Sequence, residues 1–273
     1  MAGEAGSRER YLHGYEEWTR RWMETRTAER ELRFLIPHLA PGKDLIDCGC
    51  GPGSITLGLA EAVSPGEVVG IDIEPRQLEV ATAAAARRGI GNARFEQASI
   101  YEIPAPDASF DVAVAHFVIE HVSDPPRALR EMRRVLRPGG VAAIKDPYYP
   151  AFVFRPTTPE VALFEELMAK WQKHNKASTT YAVDLRSHLL AAGFSSTVAS
   201  GGMEQVAGSG EDAMVFRMIL ENQVKEAAFR QTVLSNGWAT EDQLNAISES
   251  ASSFAQRSDV FGFIVFVQAL GFV

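Results

Sequence analysis

The sequence has little cysteine, no excess of positive charge and no apolar run long enough for a membrane. Only two of its 273 residues are cysteines, Cys48 and Cys50. With one residue between them and no further thiol, they predict neither a disulfide framework nor a metal site. The formal net charge of −8 disfavours a sequence-independent nucleic-acid binder, which needs a basic face for the phosphates. The apolar segment 260–273 is too short to span a bilayer.

What remains is the composition of an ordinary globular protein. Hydrophobic residues make up 46% of the chain and charged residues 23%, and a chain of this length can bury one substantial core. Residues 1–30 are rich in charge and contain no apolar signal-peptide core. We therefore expect a cytoplasmic protein, and its oligomeric state stays open.

A glycine-rich turn lies between a predicted strand and a predicted helix. A short apolar run leads into Asp47, glycines follow at alternate positions as Gly49, Gly51 and Gly53, and residues 55–63 have the apolar spacing of a helix. Glycine lacks Cβ, so a ligand can approach the backbone closely, and the amides that open the helix point into the same space. Such a turn at the carboxyl edge of a parallel sheet predicts a ligand site.

The spacing of this turn separates it from two common phosphate-binding motifs. The dinucleotide fingerprint would need Gly or Ala at Ser54, which disfavours a nicotinamide-dependent oxidoreductase, and no Gly-Lys-Ser/Thr follows as in a phosphate loop. A second predicted strand, 68–73, places Asp72 at its end. A carboxylate there can accept two hydrogen bonds from a ribose diol, so we expect adenosine to form the core of the ligand.

The pattern Asp47-x-Gly49-x-Gly51-x-Gly53, together with the strand end Gly70 to Ile73, resembles the class I S-adenosylmethionine-dependent methyltransferases. The stretches 103–112, 119–125 and 135–140 strengthen the resemblance and are similar to the small-molecule branch that includes the ubiquinone and menaquinone biosynthesis methyltransferases. The resemblance covers about residues 43–146. It implies S-adenosylmethionine as the cofactor and a small, aromatic or apolar acceptor of the methyl group.

The resemblance also implies a fold and a domain arrangement. We expect an α/β protein with a Rossmann-like sheet of seven strands, six parallel and the last antiparallel, helices on both faces and helical cap elements. A helical lid would occupy residues 1–40 and the core 41–273, with helical segments inserted at about 150–182 and 203–257. In the second insertion, helices are predicted around 211–234 and 240–256, after a sixth strand that ends near Ser200.

The resemblance and the position of each residue in its element predict the cofactor contacts. Arg26 is a candidate partner for the methionine carboxylate, although a solvated surface charge is an equal alternative. Relatives commonly carry Asp where this chain has Ser99, so adenine recognition would depend more on the backbone amide of Ile100. The full predicted set is Arg26, Asp47, Gly49, Gly51, Asp72, Ile73, Gln77, Ser99, Ile100 and His116.

Aromatic residues predict the acceptor side of the site. Tyr15 and Trp18 belong to an N-terminal stripe that either packs on the core or lines the acceptor pocket, and Tyr148, Tyr149 and Phe152 follow the fifth strand, where they would form an aromatic wall.

Two residues are candidates for catalysis. A general base is needed only if the acceptor keeps its proton at neutral pH, and His116 is the first candidate for that base and Asp146 the second. His116 as a neutral histidine satisfied by the backbone is the structural alternative. A non-catalytic protein that binds adenosylmethionine or its product is the functional alternative.

Overall fold

A twisted sheet forms the centre of the protein in a computed structural model that describes residues 20, 23–174, 180–207 and 219–273. Within these residues the sheet has eight strands, in the spatial order β3-β2-β1-β4-β5-β8-β6, and β7 pairs with β8. The strands are β1 Leu45–Cys48, β2 Val68–Asp72, β3 Ala93–Gln97, β4 Phe110–His116, β5 Leu136–Pro147, β6 Val153–Arg155, β7 Ser196–Ala207 and β8 Phe261–Phe272.

The strand directions confirm the predicted Rossmann-like fold. Strands β1 to β5 pair in parallel, whereas β8 runs antiparallel to β5, β6 and β7. The eighth strand is the short β6, which lies in the segment 150–182, predicted as a helical insertion. It forms because β8 extends beyond the end of β5, so Val153 and Arg155 find partners in Phe263 and Phe261. Strand order reverses between β1 and β4, and α/β sheets bind their ligands at such a point.

Helices cover the sheet and form a separate layer beyond β5. They are α1 Ala28–Glu31, α2 Ser54–Val63, α3 Pro75–Arg88, α4 Pro125–Val135, α5 Pro159–His174, α6 Leu185–Ala191, α7 Ala227–Ser235 and α8 Glu241–Ala255. Local sequence sets several ends: α3 begins with Pro75 and ends at Gly89, which has φ 65°, and Thr240 forms a capping box with Gln243 at the start of α8. Short 3₁₀ turns span Ile36–His38, Ile119–His121, Tyr149–Ala151 and Tyr181–Asp184.

Both faces of the sheet are buried. Neighbouring strand residues alternate between two apolar clusters: Ile46 and Ala113 belong to one, and Leu45 and Val112 to the other. Central parallel strands covered by helices on both sides produce this pattern. Leu32 of the predicted lid is fully buried in the second cluster, so this part of the N-terminal segment packs on the core.

A third apolar cluster joins α5, α7 and α8 to the start of β8. Its large members include Phe164, Trp171, Phe229 and Ile264. The helix predicted for 211–234 is interrupted at 224–226, because the side chain of Glu226 accepts a hydrogen bond from the amide of Phe229 and starts α7 there. Residues 211–218 of that prediction lie outside the described residues.

The strand before this insertion is longer than predicted. It continues to Ala207, past the expected end near Ser200 and the expected start of the insertion at 203, because β8 offers partners along its whole length. Across the described ranges, no helix combines the length and the apolarity that a membrane span requires.

Candidate active site

The glycine turn after β1 depends on a left-handed backbone. Gly49, Gly51 and Gly53 have φ angles of 76°, 53° and 80°, a region that residues with Cβ rarely adopt. The amides of Gly49 and Cys50 both donate to the carbonyl of Ile71, at 2.7 and 3.0 Å. The turn is therefore tied to the end of β2, which brings the first two strand ends together.

Two of these glycines have different surroundings. A Cβ at Gly49 would lie 2.5 Å from a methyl group of Val118, so this glycine is needed for packing. A Cβ at Gly51 would meet only the sulfur of Met23, at 3.5 Å. The backbone of Gly51 therefore faces space that a ligand can enter.

Asp72 closes the turn from the side of β2. Its Oδ2 accepts the amide of Gly51 and its Oδ1 accepts the amide of Glu74, both at 2.9 Å. Burial raises the pKa of Asp72, and these two backbone hydrogen bonds oppose the rise. Each oxygen keeps a further acceptor position, so the carboxylate can also bind a diol.

Asp47 is buried beneath the turn. The hydroxyl of Thr56 donates to its Oδ2 at 2.6 Å, yet burial raises the pKa of Asp47 to about 6. Among the described residues, no cationic side chain forms an ion pair with it. A ligand with an ammonium group would favour the ionised carboxylate, because an opposite charge lowers its pKa.

A cavity that is partly open to solvent lies above the turn. Nine of the ten predicted cofactor residues line it: Arg26, Asp47, Gly49, Gly51, Asp72, Ile73, Gln77, Ile100 and His116. Ser99 is not part of its lining, because its hydroxyl turns back to accept the amide of Tyr101 at 3.2 Å. The structure thus brings one continuous site together from the N-terminal segment and from the ends of β1, β2 and β4.

The cavity wall also contains residues to which the sequence assigned no role. They are Met23, Cys50, Pro52, Ser54, Ile55, Ala98, Phe117, Val118, His121 and Val122. Phe117 has a φ angle of 56°. Its ring stacks on the imidazole of His116 with the centroids 4.3 Å apart, and the guanidinium carbon of Arg26 lies 4.6 Å from the ring centroid. A non-glycine residue rarely adopts this backbone conformation, and nothing in the local sequence predicts it here.

A charged cluster lies at the ends of β4 and β5. Glu31 Oε2 contacts His116 Nε2 at 3.2 Å and Lys145 Nζ at 2.6 Å, and all three side chains are buried. Burial alone would raise the pKa of Glu31, but His116 and Lys145 lower it below its ordinary range. Burial lowers the pKa of His116 to about 4 against the effect of Glu31, so the imidazole is neutral at pH 7.

A second buried cluster contains two carboxyl groups. The amide of Glu120 donates to Asp146 Oδ1 at 3.4 Å, and His121 Nε2 lies 3.4 Å from Glu120 Oε1. Burial raises the pKa of Glu120 to about 8, and burial with the charge of Glu120 raises the pKa of Asp146. Among the described residues, Glu120 Oε2 and Asp146 Oδ2 have no hydrogen-bond partner.

The described members of the predicted acceptor set are not in the cavity wall. Tyr148, Tyr149 and Phe152 are absent from its lining, and Phe152 packs against the third apolar cluster instead, because the segment after β5 turns toward the helices there. Tyr149 forms a side-chain hydrogen bond with Glu120. Tyr15 and Trp18 lie outside the described residues.

Comparison with known proteins connects this site to one family. Residues 39–225, more than half of the chain, match the family model described as "Methyltransferase domain". A protein of Aspergillus luteorubrus named probable methyltransferase ltbC is 38% identical over 150 residues, which are 52% of this chain and 53% of that protein. The demethylmenaquinone methyltransferase of Geobacillus stearothermophilus is 32% identical over 169 residues, or 56% and 71% of the two chains.

A solved structure agrees in fold. The YcgJ protein of Bacillus subtilis has a TM-score of 0.60 and 20% identity, and the match covers 89% of this chain and 98% of that one. The chain spans only about half the length of the Aspergillus relative. The match over more than half of the chain nevertheless confirms the resemblance predicted from the glycine turn and the strand ends: the chain belongs to the class I S-adenosylmethionine-dependent methyltransferase family.

Proposed function

We propose that this protein is an enzyme that transfers a methyl group from S-adenosylmethionine to a small-molecule acceptor. The observation that carries the proposal is the cavity beside Gly51. The backbone of this glycine and the carboxylate of Asp72 face the same space, and no side chain of Gly51 blocks it. Backbone amides and a carboxylate at this strand end suit the adenosine part of the cofactor. The cofactor supplies a methyl group on a sulfonium that leaves as a neutral thioether.

Different residues of the cavity would bind different parts of the cofactor. Asp72 would accept from the ribose hydroxyls, and Ile73 and Ile100 would enclose the adenine, with Gln77 at its edge. Asp47 would face the methionine ammonium, since its buried carboxyl lacks a described cationic partner.

Arg26 and the wall at the end of β4 would complete the methionine end. Arg26 would face the methionine carboxylate, while its guanidinium lies over Phe117. Phe117 and Val118 provide an apolar wall that excludes water from the transferred methyl group, and exclusion of water with correct alignment is what such a transfer chiefly requires.

The acceptor would be a small aromatic or apolar molecule. The apolar wall residues support this, because flat apolar molecules gain most from such surfaces. The Geobacillus relative is named for methylation of demethylmenaquinone, which agrees with a ring acceptor. His116 remains a candidate base, but a pKa of about 4 makes it a poor acceptor for the proton of a hydroxyl group.

Ligand-induced thermal shifts test the cofactor proposal. S-adenosylmethionine and S-adenosylhomocysteine should raise the melting temperature, and NAD should not, because only a bound ligand stabilises the folded state. Stabilisation by NAD alone would refute the proposal. Radiolabelled methyl transfer to an acceptor then separates an enzyme from a non-catalytic binder.

Variants of the turn test the residues. Asp72→Ala should weaken S-adenosylhomocysteine binding about 10- to 100-fold, since hydrogen bonds to a charged group contribute about 1.5–3 kcal/mol. Gly51→Val should also weaken it, because valine is strained at φ 53° and its side chain enters the cavity. Glu79→Gln, on the exposed side of α3, is the control and should bind as the parent does. Unchanged affinity in both turn variants would overturn the assignment.

A further inference from the structure

Three segments meet beside the cavity at the ends of β4 and β5. They are the turn Ile119–His121, the last residues of β5, and the turn Tyr181–Asp184, which contacts both of the others. Each contributes a polar side chain with a buried oxygen: Glu120 and Asp146 are buried as whole side chains, and Tyr181 is half-buried with its hydroxyl oxygen inside. Their neighbours in the cavity wall are Val118, His121 and Val122.

The hydrogen bonds of this group are incomplete. Tyr149 bonds to Glu120, and backbone amides of the Ile119–His121 turn bond to Asp146. Glu120 Oε2, Asp146 Oδ2 and the hydroxyl of Tyr181 nevertheless have no partner among the described residues. Buried polar atoms in folded proteins are nearly always bonded, so three unpartnered atoms on adjoining segments indicate a place for a polar ligand group.

The electrostatic surroundings define the charge of the pair. Arg26 favours ionisation of Glu120, as does the hydrogen bond from Tyr149, whereas burial opposes it and leaves the pKa at about 8. His121 lies against Glu120. Burial and the charge of Glu120 together hold the pKa of Asp146 well above its usual range.

The third segment, the turn Tyr181–Asp184, contributes the neutral phenol of Tyr181 to the surroundings of the Glu120–Asp146 pair. Burial and the charges of Asp124 and Asp146 raise the pKa of the Tyr181 phenol, so it carries no charge at pH 7. Two adjacent buried carboxyl groups cannot both ionise easily, so the pair is mostly protonated at pH 7 and gains a negative charge as the pH rises through about 8.

We infer that Glu120 and Asp146 form the acceptor subsite, where they bind a hydroxyl group of the acceptor and receive its proton during methyl transfer. This inference rests on the proposed function and names the substrate class: a molecule whose reacting atom is a hydroxyl oxygen on a ring or enol. The acceptor oxygen forms a bond to the methyl carbon while the carbon–sulfur bond breaks and its electron pair stays on sulfur. The hydroxyl proton passes to the ionised carboxylate of the pair.

The His116 cluster and the Glu120–Asp146 pair differ as bases, and this difference supports the choice of the pair as the group that receives the proton. His116 already contacts Glu31 and has a pKa near 4, far from that of a hydroxyl group. The Glu120–Asp146 pair has an unpartnered oxygen on each carboxyl group, and the pKa of Glu120 is about 8. General bases work best when their pKa lies near the working pH.

Matched acceptors test the substrate class. Phenols with one to three rings are assayed with methyl-labelled S-adenosylmethionine. Each phenol is compared with the amine that has NH₂ in place of its hydroxyl group, because a neutral amine needs no base before it attacks. We expect label only in phenol products. Methylated amines alone overturn the inference. The inference is also overturned if the protein binds S-adenosylhomocysteine but methylates no compound of the panel. In that case the binding still supports the cofactor proposal.

A rescue experiment tests the role of the pair. Glu120→Gln should lower kcat for the accepted phenol about 10²- to 10⁴-fold and remove the limb of the pH profile near pH 8. The nitro-substituted form of that phenol, ionised at the assay pH, should recover most of the rate, since its proton has already gone. Glu79→Gln is the matched control and should keep the parent rate with both phenols.

Folding and catalysis can be separated within this experiment. Affinity for S-adenosylhomocysteine, measured by calorimetry, should stay within about twofold of the parent in Glu120→Gln, and Asp146→Asn serves as the second variant. An equal loss of rate with both phenols, at unchanged cofactor affinity, would overturn the inference and assign the pair a structural role.

Discussion

Two buried polar clusters flank the ends of β4 and β5, and they are satisfied to different degrees. In the first, Glu31 contacts both His116 and Lys145, and its charge is matched by the ammonium group. In the second, Glu120 and Asp146 lie together with raised pKa values and an unpartnered oxygen on each. The first cluster therefore joins the N-terminal segment to the core, and the second keeps the features of a reactive site.

The difference has a physical basis. An ion pair out of water is stable only when its partners are close and well oriented, and such a pair holds its segments in one arrangement. Two like groups in a buried site instead raise each other's pKa and stay ready to exchange a proton. Four predictions test this contrast, from the largest expected effect to the smallest.

Glu31→Ala should have the largest effect on stability. The change leaves the ammonium of Lys145 buried without its partner, and loss of one member of a buried ion pair costs about 3–5 kcal/mol. Urea unfolding measures the change. Glu29→Ala, an exposed neighbour on α1, is the control and should stay within about 0.5 kcal/mol of the parent. A loss below about 1 kcal/mol in Glu31→Ala would show that the cluster does not hold α1 to the core.

The double variant Glu31→Met with Lys145→Met should recover about 2–3 kcal/mol relative to Glu31→Met alone. Apolar side chains of similar volume can replace a buried ion pair with little net cost, and the ring of Phe266, whose centroid lies 4.0 Å from Lys145 Nζ, offers an apolar surface to a methionine at that position. A double-mutant cycle in urea measures the coupling free energy. Additive losses would mean that the two charges do not act as a pair.

Glu120→Gln should weaken the pH dependence of stability. The pKa of Glu120 is raised to about 8 in the folded protein, so its contribution is complete below about pH 4.5 and is lost as the pH rises through 8. The free energy of unfolding should fall less between pH 5 and pH 9 in the variant than in the parent. Glu79→Gln should keep the parental slope, and an unchanged slope in Glu120→Gln would contradict the raised pKa of Glu120.

Arg30→Ala should have the smallest effect. Arg30 neighbours Glu31 on α1 and pairs with Glu204 of β7, but its side chain is 62% exposed. Exposed ion pairs contribute about 0–1 kcal/mol because water screens them. Urea unfolding should show a loss of no more than about 0.5 kcal/mol. A loss of unfolding free energy as large as that of Glu31→Ala would mean that the exposed pair of Arg30 with Glu204, rather than the buried cluster, holds α1 to the core.

The glycine turn and the strand ends that line the cavity were predictable because their signals are local. Gly49, Gly51 and Gly53 follow a strand and precede a helix, and Asp72 ends the next strand, so their roles depend on spacing within short segments. Ser99 shows the limit of this approach. Its alignment with an acidic position in relatives suggested an adenine contact, but the hydroxyl accepts the amide of Tyr101, two residues away, and is not part of the cavity lining.

The sequence by itself determined the Rossmann-like core, the glycine turn and the family, because periodic apolar residues and closely spaced glycines encode structure over a few residues. The tertiary structure alone decided the contact of Glu31 with His116 and Lys145, over separations of 85 and 114 residues, and the meeting of Glu120 with Asp146 and Tyr181. Such contacts depend on which strands become neighbours and on how deeply each group is buried. Burial and proximity then set the pKa values on which the chemistry depends.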